Sequence, residues 1–125
     1  MSKAMDKISG RPTGFLQRIA VQEGTHFHVL RLKEVDWVEA DRKHLCLHIG
    51  NKVHRVRQTM AELKRSLNPR QFLQVHRSHV VNVDSIAALD FSKPSSPFVV
   101  LTSGKRVALA RSYKRDLREA LAHIG

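Results

Sequence analysis

The chain has one cysteine, one tryptophan, one tyrosine and half as many acidic residues as basic ones in 125 positions. A lone Cys46 can form neither an internal disulfide nor a cysteine metal cluster, which fits a reducing cytoplasm. Apolar runs extend over only a few residues, far short of the roughly 20 that a membrane-crossing helix requires, so no membrane span is expected. The opening segment to Gly14 carries Lys, Ser, Gly and Pro but no apolar h-region, so it does not read as a signal peptide. Residues 1–15 read as a linker or an expression remnant, and residues 16–125 as one domain, because the length is too short for two of ordinary size. There is no HExxH, no cysteine pair, no carboxylate cluster at ligand spacing and no Gly-rich phosphate loop, so neither a metal enzyme nor a nucleotide-using one is expected. No cofactor follows from any motif.

Charge is the strongest bulk signal. The 22 Lys and Arg against 11 Asp and Glu give +11 with histidines neutral. Residues 1–15 hold three of those basic residues and one acidic one, so the excess belongs to the rest of the chain, which carries 19 against 10. Such an excess points to a polyanionic partner. Charge alone does not choose among DNA, RNA and an anionic membrane. Aromatic residues are only 6%, most of them in core-like strand positions, which speaks against a module that stacks single-stranded RNA bases.

From Arg18 to Arg57 apolar residues recur at period two, rich in Val, Ile, Leu, Phe and Trp, as in half-buried strands. Strands are expected near Arg18–Gln22, His26–Leu32, Val35–Ala40, His44–Ile49 and Lys52–Arg57, with Glu23-Gly24-Thr25 and Gly50-Asn51 as turns. Thr59-Met60-Ala61-Glu62 forms a capping box that starts a helix, and Asn68-Pro69 stops it. Strands resume at Phe72–His76, His79–Val83, Ser85–Phe91, Phe98–Thr102 and Arg106–Ala110, followed by a closing helix with Ser112 as its expected N-cap. The chain thus reads as mainly β with two helices.

Three segments carry candidate binding chemistry. In Phe72-Leu73-Gln74-Val75-His76-Arg77-Ser78-His79-Val80-Val81-Asn82-Val83, Arg77 can offer a two-pronged donor to guanine O6 and N7, while Ser78 and Asn82 can contact phosphate or orient a neighbour. For His76 and Asn82 the stronger reading is that they satisfy backbone groups in a tight turn. In Asp41-Arg42-Lys43-His44, His44 can donate to a base acceptor, and Arg42 and Lys43 can neutralise phosphates, although such a turn is more often a solvated hairpin tip. At Ala110-Arg111-Ser112-Tyr113-Lys114-Arg115, a helix N-terminus with Arg111, Lys114 and Arg115 around it suits an anion. Of the eight histidines, His26 with His28 and His76 with His79 stand at spacings a metal pair could use, but no further ligand accompanies them.

The order of these segments resembles the LytTR DNA-binding domain over roughly Leu16 to Leu121. The segment from Phe72 to Asn82 is similar to the family's F-x-R-x-H-R-S-x-[IV]-V-N signature, Val35-Asp36-Trp37-Val38-Glu39-Ala40 to its I-x-[YW]-I-E-A strand, and Ser103-Gly104 with Ala110-Arg111-Ser112-Tyr113 to its closing motif. Gln74 departs from the usual arginine and Ala110 from the usual serine. The resemblance implies an elongated arrangement of small, mostly antiparallel sheets. It also implies loops that enter successive major grooves, with His44, Arg77 and Arg111 at bases and Arg42, Lys43, Ser78, Ser112 and Lys114 at the phosphate backbone. It implies a bacterial transcriptional regulator that binds double-stranded DNA as paired direct repeats, two copies together, with a receiver or sensory domain N-terminal to this segment in most relatives.

Overall fold

The computed structural model of the protein describes residues 14–122, and the linker expected over residues 1–15 lies, but for Gly14 and Phe15, outside them. Ten strands and two helices are found among the described residues. The strands are β1 Arg18–Glu23, β2 His26–Arg31, β3 Trp37–Asp41, β4 His44–Ile49, β5 Lys52–Val56, β6 Phe72–His76, β7 His79–Asn82, β8 Ile86–Asp90, β9 Phe98–Leu101 and β10 Arg106–Ala108; the helices are α1 Met60–Ser66 and α2 Arg111–Ala122. All pairings are antiparallel, in a β1-β2 hairpin, a five-stranded sheet of order β5-β4-β3-β7-β6 and a three-stranded sheet of order β10-β9-β8. No described helix is long and apolar enough to cross a membrane.

Alternation along the strands gives the five-stranded sheet two apolar faces. Val38, Leu45, Leu47 and Val80 pack on one face with Ile19, Val21 and Leu30 of the hairpin and Leu63 and Leu67 of the α1 segment. Trp37, Val75 and Val81 pack on the other with Val99, Leu101 and Val107 of the small sheet and Leu117 of α2. Each such large side chain removed from water contributes about 1.5–3 kcal/mol, so the two clusters are the main source of stability. The β2 strand departs from its apolar pattern, since Phe27 and Val29 stay more than half exposed and only Leu30 is buried.

Local chemistry set most boundaries. Thr59 and Glu62 form the capping box at α1, with the Thr59 Oγ1 accepting from Glu62 N at 3.1 Å and Glu62 Oε1 accepting from Thr59 N at 2.9 Å. The bond from Thr59 N, and a second from the Thr59 hydroxyl to the same oxygen at 3.0 Å, hold the Glu62 carboxyl below its ordinary pKa. Gly24 and Gly50 adopt φ of 64° and 57° in the two hairpin turns, a backbone region that glycine enters without steric cost. Strand ends differ where short helical turns intervene. Val35 donates to Leu32 O at 3.0 Å and so closes a 3-10 turn, which delays β3 to Trp37. Ser85 ends a second 3-10 turn, so β8 begins at Ile86. The β10 strand stops at Ala108 because Leu109 N donates to Pro97 O and Ala110 N to Val75 O.

Asn82 sits where these parts meet. It is 1% exposed, and its side chain donates to Lys33 O at 3.1 Å and Val35 O at 2.9 Å, accepts from Asp84 N at 3.0 Å, and bonds the Gln71 amide. Ser85 Oγ donates nearby to Asp36 Oδ1 at 2.9 Å, while Asp36 Oδ2 accepts from Gly50 N at 3.0 Å. Asn82→Ala leaves several of these buried groups unpaired and is expected to cost about 3 kcal/mol in urea unfolding; a loss below about 1 kcal/mol would show that water replaces its bonds.

Candidate nucleic-acid interface

The antiparallel pairing of β3 with β7 sets Glu39 opposite His79, so the end of β3 and the start of β7 lie side by side. The β3–β4 turn, Arg42-Lys43, and the β6–β7 turn, Arg77-Ser78, therefore emerge at the same end of the five-stranded sheet. Ala40 N donates to Ser78 O at 2.8 Å and ties the two together. The third segment joins them through Ala110 N, which donates to Val75 O at 2.8 Å, and through His79 Nδ1, 3.5 Å from Ala108 O. All three sequence clusters, more than 30 residues apart along the chain, thus converge on one end.

Arg42, Lys43, Arg77, Arg111 and Ser112 are exposed, whereas His44, Ser78 and Lys114 are half-buried. Among the described residues, none of Arg42, Lys43, Arg77 and Arg111 lies within ion-pair distance of a carboxylate. The nearby Asp41 instead pairs with Arg55 at 3.3 Å. The Lys114 ammonium lies 4.5 Å from the Phe91 ring centroid, a cation–π contact that competes with any outward role. His44 opens β4 opposite Asp41.

Ser112 is not the N-cap. The helix begins at Arg111, and Ala110, whose carbonyl accepts from Tyr113 N at 3.0 Å, stands before it with no side-chain acceptor to offer. The first turn contains no acidic residue, so Arg111 sits at the positive end of the helix dipole without compensation. An anion there relieves both the uncapped amides and the cationic side chain. Arg118, which the sequence reading passed over, lines the same shallow depression as Arg111, Lys114 and Arg115, a placement that the helical spacing from Arg111 signals.

Behind the turns the rings stack. Trp37 lies parallel to His48 with centroids 4.1 Å apart, His79 meets Trp37 edge-on at 5.5 Å, and His76 stacks on His79 at 4.7 Å. Burial pushes the His79 pKa down, and the neighbouring His76 and Lys105 push the same way against the Ala108 carbonyl and Glu39. Cys46 is buried, and burial raises its thiol pKa, which makes it a poor nucleophile. Among the described residues no group of three His, Cys, Asp or Glu is placed to hold a metal. His76 and Asn82 do satisfy backbone groups, as the sequence reading expected.

Ten β-strands in three antiparallel sheets, with cationic turns gathered at one sheet end, define a small β domain built to present loops. The chain belongs to the LytTr DNA-binding domain family, whose pattern matches residues 25–122. It is 20% identical over 114 residues to the transcriptional regulatory protein LytR of Staphylococcus aureus (strain bovine RF122 / ET3-1), covering 91% of this chain and 46% of that protein. To the sensory transduction protein LytT of Enterococcus faecalis it is 22% identical over 105 residues, covering 84% and 43%. The chain therefore spans less than half the length of these curated relatives. Among solved structures, the LytTr DNA-binding domain of a methyl-accepting/DNA response regulator from Bacillus cereus shares the fold, with a TM-score of 0.75, 22% identity and coverage of 84% of this chain and 96% of that one.

Two expectations follow from this geometry. Arg42 has φ of 58°, a left-handed conformation that costs a side-chain-bearing residue about 1–2 kcal/mol. Arg42→Gly is expected to raise the stability by about 1 kcal/mol in thermal unfolding, and no gain would mean that the turn is not strained. A histidine with a depressed folded pKa takes up its proton first in the unfolded chain, so its contribution is intact above the ordinary value and is withdrawn as pH falls from there to the folded one. His79 is therefore expected to make the domain less stable as pH drops through 6.5, and His79→Gln to flatten that slope in urea titrations at stepped pH.

Proposed function

We propose that the chain is a non-enzymatic reader of double-stranded DNA, the output domain of a bacterial transcriptional regulator that works in the cytoplasm. Its three turns enter major grooves, with His44, Arg77 and Arg111 at base edges and Arg42, Lys43, Ser78, Ser112 and Lys114 along the phosphates. The observation that carries this reading is the convergence of three cationic turns from distant parts of the chain on one sheet end, with their arginines left without carboxylate partners. Unpaired guanidinium groups in a shared surface suit an array of phosphates and guanine edges, whereas arginines serving stability alone would be paired on the domain itself. The family's description supports the DNA assignment, and the length of the relatives supports a longer regulator in which a receiver or sensory domain precedes this segment. Two copies bind paired direct repeats.

Selection of bound duplexes from a random DNA pool at moderate salt is the direct test, followed by affinities for the selected duplex and a scrambled control. Enrichment of a short motif in paired repeats is expected; binding without enrichment would reduce the domain to a nonspecific DNA binder. Arg77→Ala and Arg111→Ala are each expected to cost about 1–3 kcal/mol on the selected duplex and much less on the control. Lys43→Gln should weaken both alike and lower the dependence of log K on log salt by about 0.9. An unchanged ratio of specific to nonspecific affinity in both arginine variants would remove them from the base-reading set.

A further inference from the structure

The turn that presents Arg77 is not of a kind that holds itself. Only Arg77 and Ser78 join β6 to β7, and two-residue hairpin turns normally need positive φ at one or both positions to match the twist of the strands. Neither residue has it, in contrast to Arg42 in the neighbouring turn. The register also slips by one residue between Gln74 and His76, so the strand enters the turn from an irregular ladder.

Side chains supply the missing support. His76 Nδ1 accepts from Ser78 N at 3.1 Å, copying the turn in which a short polar side chain accepts from the amide two residues on. Gln74 Nε2 donates to His76 O at 3.2 Å and more weakly to Arg77 O at 3.5 Å, while its Oε1 accepts from Lys64 of α1. Gln74 thus clamps the two carbonyls that flank Arg77. Ser78 O is already taken by Ala40 N.

One acceptor in this clamp is an imidazole nitrogen. A ring nitrogen accepts a hydrogen bond only while unprotonated, and histidine is the side chain whose charge ordinarily changes between pH 5 and 8. A proton on His76 Nδ1 would set donor against donor at Ser78 N. The charged and titratable groups nearby are Arg77 in the turn, Lys64 of α1 reached through Gln74, and His79 stacked on it from β7, which has Glu39 of β3 and Lys105 of the β9–β10 turn around it. Glu39 already bonds His48 Nε2 at 3.2 Å, and among the described residues no carboxylate is recorded bonding His76.

We propose that His76 is a positioning residue whose neutral form fixes the turn carrying Arg77, so that acid removes base-specific recognition while leaving general attraction to DNA. This rests on the DNA reading above. The test measures affinity for the selected duplex and the scrambled control at about pH 7.5 and about pH 5.5, together with the amide signal of Ser78 in the DNA-free domain by NMR over the same range. In the wild type the specific-to-nonspecific ratio is expected to fall about tenfold on acidification, the scale of one lost hydrogen bond with its donor left unpaired, and the Ser78 amide to shift. His76→Asn places a non-titrating oxygen where Nδ1 stands, so its Ser78 amide should stay level with pH, and so should its ratio when all variants carry His44→Gln, which removes the other histidine placed at a base edge. His76→Ala should show the low ratio at both pH values. The proposal is overturned if His76→Asn loses its ratio on acidification in the His44→Gln background, or if the wild-type Ser78 amide does not respond. A Ser78 amide that titrates only in the wild type, in a domain that prefers no duplex at either pH, would keep the clamp and overturn the DNA reading on which its use depends.

Discussion

Antiparallel pairing of β3 with β7 joins two hairpins that are separated by residues 50–71, which hold β5 and α1, and their turns share one end because the strands run in opposite senses. Once Glu39 stands opposite His79, the bond from Ala40 N to Ser78 O follows from the ladder geometry. The α2 start is then brought in by a single backbone bond from Ala110 to Val75, on the strand beside β7. Register is pinned from the far end by Asn82, which binds the carbonyls of Lys33 and Val35 just before β3 begins. A one-residue slip of β7 would exchange Val80 with Val81 between the two apolar clusters and strip Asn82 of these partners.

The presenting surface carries a cost that the rest of the domain offsets. Arg42 in a left-handed conformation, Arg111 at an uncapped helix start, and a two-residue turn without positive φ are each unfavourable locally. They stand on a sheet packed on both faces, and the two apolar clusters meet through its central strands. Strain of this sort, concentrated where the turns emerge and absent from the glycine turn at the other end of β4, is the pattern expected when a surface is shaped for a partner.

Much of this was legible from residue order alone. Period-two alternation located all ten strands to within two residues at most ends, and Thr59 with Glu62 announced α1 because both halves of a capping box lie within four residues. Misreadings arose where a distant partner decided. Val35 and Ser85 look like strand residues, but 3-10 turns anchored around Asn82 and Leu32 claim them. Ser112 looks like a cap, but the helix starts two residues earlier than that cap implies, with Ala110, bonded to Val75, standing before it. The exposure of Phe27 and Val29 was hidden, since a hairpin with one covered face carries the same alternation as one with two. That His76 satisfies a backbone group in its turn was legible, but the part of Gln74 was not, because a side-chain amide that bonds two carbonyls leaves no pattern in composition or charge.

The bonds that bring the three turns together, Ala40 to Ser78 and Ala110 to Val75, are all between backbone groups. Side chains at positions 42, 43, 77 and 111 are exposed and take no part in them. At positions 43, 77 and 111 these joining bonds do not depend on the side chain carried, whereas position 42, with its left-handed backbone, favours glycine. If the turns read DNA as proposed, a domain arranged in this way would change what it recognises by substitutions at a few exposed sites, without first having to rebuild its core.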